Sequence, residues 1–251
     1  MDLHPDFLRL PIAHRGLHSL GLPENSMGAF RAAIAAGYAI ECDIQAAADG
    51  TPVVFHDDDL PRLTGAEGLV RALGIDALSM LRIMGTEESI PTLAELLAEV
   101  AGRVPLLIEI KDQSLRSTDQ IGDLSERVAE LLGDYAGPVA VMSFNPHSMA
   151  AFHRVAPDIA VGLTTCDYDA ADWPDIGATT RTLLAAIADF DRVGASFVSH
   201  DRNDLDNPAV TALKARGVPI LTWTIRSSQQ EQAARQVADN ITFENYLPGA
   251  A

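Results

Sequence analysis

The chain has 251 residues, of which 47% are hydrophobic and 21% charged, and its 35 acidic and 18 basic residues give a net charge of −17. The charge is spread along the chain and argues against nucleic acid or an anionic membrane as a partner. No run approaches the ~18 apolar residues that span a bilayer, and the first residues, MDLHPDFLRL, do not form a secretory signal. With two cysteines a disulfide framework is implausible, so we expect a cytoplasmic location.

Apolar runs that end in polar residues alternate with amphipathic stretches rich in alanine and leucine. We predict eight strands, at Leu10–His14, Tyr38–Ile44, Pro105–Lys111, Val139–Phe144, Ile159–Leu163, Ser196–His200, Val218–Trp223 and Asn240–Phe243. We predict helices at Ser26–Ala36, Thr92–Val100, Leu124–Leu132, Pro146–Val155, Thr179–Asp189, Pro208–Arg216 and Ser228–Ala238. Eight strands joined by βαβ crossovers predict an α/β fold, a (β/α)8 TIM barrel.

Residues 51–91 break this alternation. A short strand at Val53–His56 is followed by an irregular, glycine-containing stretch, Asp57–Ser89. We interpret residues 1–251 as a single (β/α)8 domain in which residues 51–91 form a small excursion after the second strand. In such barrels the chemistry lies at the C-terminal ends of the strands, so this excursion is a candidate wall over the barrel mouth.

Three consecutive predicted barrel strands end in polar side chains. Successive side chains of a strand point to opposite faces, so Glu41 and Asp43 project together, as do Glu109 and Lys111, and His14 ends the first strand. Three converging carboxylates repel one another unless a cation lies between them. Oxygen ligands alone select a hard ion, so we predict one divalent cation, Mg²⁺ or Ca²⁺.

An ordered set of motifs carries a family resemblance that covers nearly the whole chain. The set comprises His14-Arg15-Gly16, Pro23-Glu24-Asn25-Ser26, Glu41-Cys42-Asp43, His56-Asp57, Ile90-Pro91-Thr92-Leu93, Glu109-Ile110-Lys111, Ser143-Phe144-Asn145-Pro146 and Thr222-Trp223-Thr224. In this order they resemble the glycerophosphodiester phosphodiesterase family. The resemblance implies an enzyme that hydrolyses glycerophosphodiesters to glycerol 3-phosphate and an alcohol.

The resemblance also implies a role for each matching residue. It places a divalent metal on Glu41, Asp43 and Glu109, and makes His14 and His56 the acid–base pair. Imidazole suits both tasks because its pKa of ~6.5 gives either form near neutrality. We further interpret Arg15, Lys111, Trp223 and Phe144 as substrate- or phosphate-binding residues.

Several alternatives stay open at this stage. The nucleophile is either the substrate's glycerol 2-hydroxyl, which gives a cyclic phosphate that water then opens, or metal-bound water. A second possible function is that of a lysophospholipase D-like or sphingomyelinase D-like lipid phosphodiesterase. A third is that of a non-catalytic barrel that binds phosphate esters. We expect a small-molecule substrate, while headgroup preference and oligomeric state have no signature in the sequence.

The chain departs from the family pattern after the eighth strand, where Thr-Asp-x-Pro is usual. Here Glu244 or Asn245 is the candidate to replace the missing aspartate. Few residues follow, so we expect the eighth helix to be short or absent and the Leu3–Leu10 segment to cover that end of the barrel. Cys42 should pack in the core, and His18, in a loop, should face solvent.

Overall fold

The computed structural model describes residues 1–249. Eight parallel strands close into a barrel, because β1 pairs with both β2 and β9. They are β1 (Ile12–Ala13), β2 (Ala39–Ala46), β4 (Leu106–Ile110), β5 (Val139–Ser143), β6 (Ala160–Thr165), β7 (Phe197–Asp201), β8 (Ile220–Ile225) and β9 (Asn240–Phe243). A further strand, β3 (Pro52–Val54), pairs antiparallel with β2 outside the barrel. The predicted (β/α)8 TIM barrel is confirmed.

Helices connect the barrel strands and cover their outer face. They are α2 (Met27–Ala36), α5 (Leu93–Val100), α6 (Leu124–Leu132), α7 (Pro146–Val155), α8 (Ala178–Ala185), α9 (Pro208–Ala215) and α10 (Ser228–Ala234). Side-chain caps mark several of their first turns, as where Thr92 and Glu95 form a capping box at α5. Among residues 1–249, no helix combines the length and the apolar character needed to cross a bilayer.

The alternation of side chains along each strand divides the core into two layers. Cys42 and Ile108 are among the residues that face the helices and are fully buried there. Leu107 and Met142 belong to the layer inside the barrel, on the opposite face of the sheet. Cys42 therefore packs in the outer core, as predicted, while its neighbours Glu41 and Asp43 face the interior.

The N-terminal segment closes the barrel mouth at the N-terminal ends of the strands. Its short helix α1 (Asp6–Arg9) inserts Phe7 into the inner core layer, where this side chain is fully buried. The buried Asn240 amide of β9 donates to the backbone carbonyls of Phe7 and Leu10, at 2.7 Å each. The Leu3–Leu10 segment thus covers a barrel mouth rather than the outer face of the last strand.

The outer face of the last strand is covered by the segment that follows it. In the described residues no helix follows β9. Instead, Tyr246 packs edge-on against Phe243, with ring centroids 5.8 Å apart, and Tyr38 donates a hydrogen bond to the carbonyl of Pro248. The expectation of a short or absent eighth helix is met. The ring of Tyr246, packed on Phe243, covers part of the strand surface that such a helix would cover.

The excursion between β2 and α5 has its own small core. It contains β3, the short helices α3 (Pro61–Thr64) and α4 (Ile75–Leu78), and one turn of 3-10 helix at Val70–Ala72. Phe55, Leu60 and Ile90 are buried together in this core. The packing holds the segment that follows β3, which carries His56 and Asp57, beside the mouth at the C-terminal ends of the strands.

Phe7→Ala should lower the free energy of unfolding by about 3–5 kcal/mol, because a fully buried aromatic ring leaves a cavity that the barrel interior cannot refill. Urea unfolding followed by circular dichroism measures this change. Leu8→Ala, at a neighbouring exposed position, is the control and should change the stability by less than ~0.5 kcal/mol. Equal losses in both variants would contradict the plug role of Phe7.

Candidate active site

A cavity of about 750 Å³ opens at the C-terminal ends of the barrel strands. It is bounded by the barrel interior, the excursion and the loop between β6 and α8. All of the site residues singled out from the sequence line it, namely His14, Arg15, Glu41, Asp43, His56, Glu109, Lys111, Phe144 and Trp223. The fold therefore brings together residues that are separated by as many as 209 positions in the chain, from His14 to Trp223.

Three carboxylates meet at the floor of this cavity. Asp43 and Glu109 are register partners on the paired strands β2 and β4, and Glu41 precedes Asp43 by two positions on the same face. One carboxylate oxygen from each of the three lies within 4.8 Å of the others, and all three residues are buried. Burial, followed by the charges of Asp43 and Glu109, raises the pKa of Glu41 well above its usual range.

Two cations partly compensate these carboxylates. The Lys111 ammonium lies 2.7 Å from Asp43 Oδ1 and also donates to Glu109. The Arg15 guanidinium places its Nε 3.1 Å from Asp43 Oδ2, though without hydrogen-bond geometry. Burial opposes ionisation of Asp43, but Lys111 and Arg15 hold the pKa of this carboxyl well below its usual range. The formal charges of these three carboxylates and two cations sum to −1.

His14 is held by Glu244, the residue that follows β9. The His14 Nδ1 atom lies 2.6 Å from Glu244 Oε2, and the Arg226 Nε donates to Oε1 of the same carboxyl at 2.7 Å. The hydrogen bond from His14, together with the nearby His18 imidazole, holds the pKa of Glu244 well below its usual range, whereas burial lowers the pKa of His14. An ionised carboxylate only accepts, so Nδ1 carries the proton. The Nε2 atom then lies 4.0 Å from Glu41 Oε2, toward the carboxylate floor.

His56, which follows β3 in the excursion, is held in a similar way. Its Nδ1 atom lies 2.7 Å from Asp57 Oδ1, and Arg62 donates to both oxygens of the same carboxyl. Burial opposes ionisation of Asp57, but the hydrogen bonds from His56 and Arg62 keep its pKa below its usual range. Both imidazoles are thus anchored through Nδ1, which leaves Nε2 for the cavity.

A chain of ion pairs joins the excursion to the barrel. Glu24, in the loop before α2, accepts from the Arg15 guanidinium at 2.7 Å and from both terminal nitrogens of Arg62. Because Arg62 also holds Asp57, this series of ion pairs connects His56 to the carboxylate floor. It passes through Asp57, Arg62, Glu24 and Arg15. This connection fixes the position of one imidazole relative to the other half of the site.

Sequence reasoning missed or misjudged some of the residues at this site. His18 is not a solvent-facing loop residue, because its Nε2 atom is buried 3.5 Å from Glu244 Oε2. Of the two candidates after β9, Glu244 is the one that contacts His14, while Asn245 donates weakly to Glu244 at 3.4 Å. Trp173 and Asp175 also line the cavity, although a loop residue without a motif gives no sequence signal.

The carboxylate floor fits a hard divalent cation. Oxygens that share an ion at 2.0–2.6 Å stand no more than about 5 Å apart, and the three oxygens here meet this condition. The raised pKa of Glu41 reflects its burial first and then the repulsion from Asp43 and Glu109, which such an ion would relieve. A dication would also change the net charge of the floor from negative to positive, which suits an anionic phosphodiester.

Glu244→Gln should make the protein less sensitive to acid. The folded pKa of Glu244 lies below the unfolded value, so its carboxylate stabilises the fold above ~pH 4.5 and loses this contribution as the pH falls through the folded pKa. Urea unfolding at pH 7 and at pH 3.5 measures the change. Between these two pH values the free energy of unfolding should fall more for the wild type than for Glu244→Gln. Glu130→Gln, on an exposed helix face, should behave as the wild type. Equal acid losses in all three would contradict the assignment.

Comparisons with known proteins agree with this geometry. A model of the glycerophosphoryl diester phosphodiesterase family matches residues 14–241. The Bacillus subtilis protein YhdW is 29% identical over 233 residues, covering 89% of this chain and 88% of its own length. The glycerophosphodiester phosphodiesterase of Caldanaerobacter subterraneus subsp. tengcongensis is 32% identical over 165 residues, covering 61% of this chain and 65% of that protein.

Solved structures extend the agreement to three dimensions. An Oleispira antarctica phosphodiesterase in complex with the product sn-glycerol-3-phosphate superposes with a TM-score of 0.76, 26% identity and 94% coverage of both chains. A glycerophosphodiester phosphodiesterase from Parabacteroides distasonis shares the fold, with a TM-score of 0.74, 21% identity and 93% and 92% coverage. The family match over most of the chain establishes that this protein belongs to the glycerophosphoryl diester phosphodiesterase family, whose members are phosphoric diester hydrolases.

Proposed function

We propose that residues 1–251 act as one metal-dependent phosphodiesterase domain that hydrolyses glycerophosphodiesters to glycerol 3-phosphate and an alcohol. The observation that carries the proposal is one cavity lined by both anchored imidazoles and by three buried carboxylates. The related Oleispira antarctica enzyme was solved with sn-glycerol-3-phosphate, which supports the same product here.

The carboxylates Glu41, Asp43 and Glu109 would hold one divalent cation, Mg²⁺ or Ca²⁺. When bound, this ion supplies charge neutralisation at the phosphate oxygens. The Arg15 and Lys111 cations, which line the same cavity, bind and orient the phosphate beside it. Trp223 and Phe144, whose rings pack together, form an apolar wall of the cavity that contacts the substrate.

The two imidazoles move the protons. One Nε2 accepts the proton of the attacking hydroxyl, while the other donates a proton to the departing alkoxide. Attack by water gives glycerol 3-phosphate directly. Attack by the glycerol 2-hydroxyl gives a cyclic phosphate, which water then opens to glycerol 3-phosphate while the two histidines exchange roles. Glu244 and Asp57 fix the Nδ1 protons of His14 and His56, so each ring presents Nε2 to the substrate. Burial lowers the pKa of His14, which favours the neutral imidazole that can accept a proton first.

His14→Ala and His56→Ala should each lower kcat for glycerophosphocholine about 10²-fold or more, because each removes an acid or base. Steady-state kinetics with an enzymatic assay for choline measures the change. His4→Ala, at an exposed position outside the cavity, is the matched control and should keep full activity. Near-normal turnover in either active-site variant across the pH range would reject that histidine as acid or base.

Glu41→Gln, Asp43→Asn and Glu109→Gln should each weaken binding of Mg²⁺ or Ca²⁺, since each removes one charged ligand from the floor. Titration calorimetry on chelator-treated protein measures the affinity directly, and EDTA should abolish turnover of the wild type. Glu67→Gln, an exposed glutamate of the excursion, is the control and should bind as the wild type does. Unchanged affinity in the three floor variants, or turnover that resists EDTA, would reject the metal role.

A further inference from the structure

The proposed chemistry occupies only one half of the cavity. Going round the barrel, β1, β2 and β4 are neighbours and carry the first imidazole and the carboxylate floor. The strand opposite β2 is β7, and β6 and β8 flank it. The side chains that line the cavity on this far half come from the end of β5, from β8 and from the β6–α8 loop.

The far half is built from aromatic rings. Phe144 packs against Trp173 and Trp223, with ring centroids 5.2 and 5.5 Å apart, so the three rings form a continuous wall. Both tryptophans of the protein lie in this wall. Tyr168 stands behind it, 5.1 Å from Trp173. The Trp223 indole N–H donates to the Ser199 carbonyl at 3.0 Å, which holds this ring in a fixed orientation.

In the described part of the chain no cation lies over a ring of this wall, and Arg181 of α8 donates instead to the backbone carbonyls of Trp173 and Ile176. In residues 1–249 the one contact of a cation with a ring face lies elsewhere, where Arg216 stands over Phe190. Arg15 and Lys111, the cations that line the cavity, are paired with carboxylates at its floor. The π faces are therefore available to a cation that the substrate brings, and tryptophan gives the strongest such interaction.

The rim of the cavity carries negative charge without a counterion. Asp175, two residues after Trp173, lines the cavity, is exposed, and makes no ion pair within the described chain. Asp58 and Asp59 line the facing rim on the excursion and likewise form no ion pair among residues 1–249. Among the described residues, the Asp58 carboxylate accepts only from the Gln45 amide. The net charge of −17 adds a field of the same sign.

An aromatic wall with an acidic rim distinguishes among headgroups. An apolar wall alone would accept any alcohol of suitable size, whereas π faces beside carboxylates attract an ammonium group and repel an anionic one. Resting on the proposed function, we propose that this half of the cavity binds the leaving alcohol of the diester and selects a cationic amino-alcohol headgroup over neutral headgroups. Trp173 and Asp175 are the residues that would set this preference.

The test compares kcat/KM for glycerophosphocholine, which carries a cationic headgroup, with that for glycerophosphoglycerol, which carries a neutral one, and for glycerophosphoinositol. The wild type should prefer the choline diester by ~10-fold or more, consistent with a cation–π contact plus a nearby carboxylate. Rising salt should reduce this preference, because the rim carboxylates are exposed and are screened.

Two substitutions separate the contributions of the ring and the charge. Trp173→Leu keeps apolar volume but removes the π face, and should lower kcat/KM for the choline diester ~5–10-fold, mainly through KM, while leaving the glycerol diester within ~2-fold. Asp175→Asn should lower the choline preference ~2–4-fold. Asp172→Asn, on the same loop but outside the cavity, is the matched control for net charge and should keep the wild-type preference.

The outcomes separate this inference from the function on which it rests. Hydrolysis of all three diesters with equal kcat/KM overturns the headgroup preference and leaves the phosphodiesterase function intact. A preference that survives both Trp173→Leu and Asp175→Asn overturns the assignment to these residues. Absence of turnover with every diester, in the presence of Mg²⁺ or Ca²⁺, overturns the proposed function and this inference together.

Discussion

The structure depends on the crowding of three buried carboxylates at the ends of two neighbouring parallel strands. Glu41, Asp43 and Glu109 are forced together because β2 and β4 pair in register and because their side chains share one face. Such crowding is costly in a buried site, and Lys111 and Arg15 offset only part of the repulsion. The rest of the mouth is arranged around this charge: cations beside it, imidazoles at its edge, and an aromatic wall across from it.

Two carboxylates outside the floor have a different task. Glu244 and Asp57 each accept from the Nδ1 atom of an imidazole, and each is itself held by an arginine, Arg226 or Arg62. The arginine keeps the carboxylate ionised, and the carboxylate in turn fixes the proton on Nδ1. The same arrangement is built twice from unrelated segments, one after the last strand and one in the excursion. It leaves both Nε2 atoms available for proton transfer.

The rigid part of the mouth lies on barrel strands and their ends, and the variable part lies on loops. The floor and His14 lie on or directly after barrel strands, whose backbones are fixed by pairing on both sides. The rim, which includes Asp59 and Trp173, lies on the excursion and on the β6–α8 loop. Strand ends suit chemistry that requires exact geometry, whereas loops can change their residues without disturbing the barrel. Substrate choice is therefore expected to reside in the rim.

The sequence alone determined the barrel, the burial of Cys42 and those cavity-lining residues that lie at strand ends or in motifs, because strand and helix periodicities and short motifs are local properties of the chain. It did not determine that Glu244 contacts His14, a pair separated by 230 positions, or that His18 is partly buried beside it. The plug formed by Phe7 and the wall that brings Trp173 to Phe144 were also decided by tertiary packing. Contacts between loops and termini leave no periodic pattern in the sequence. They form only when the barrel closes and brings distant segments to one mouth.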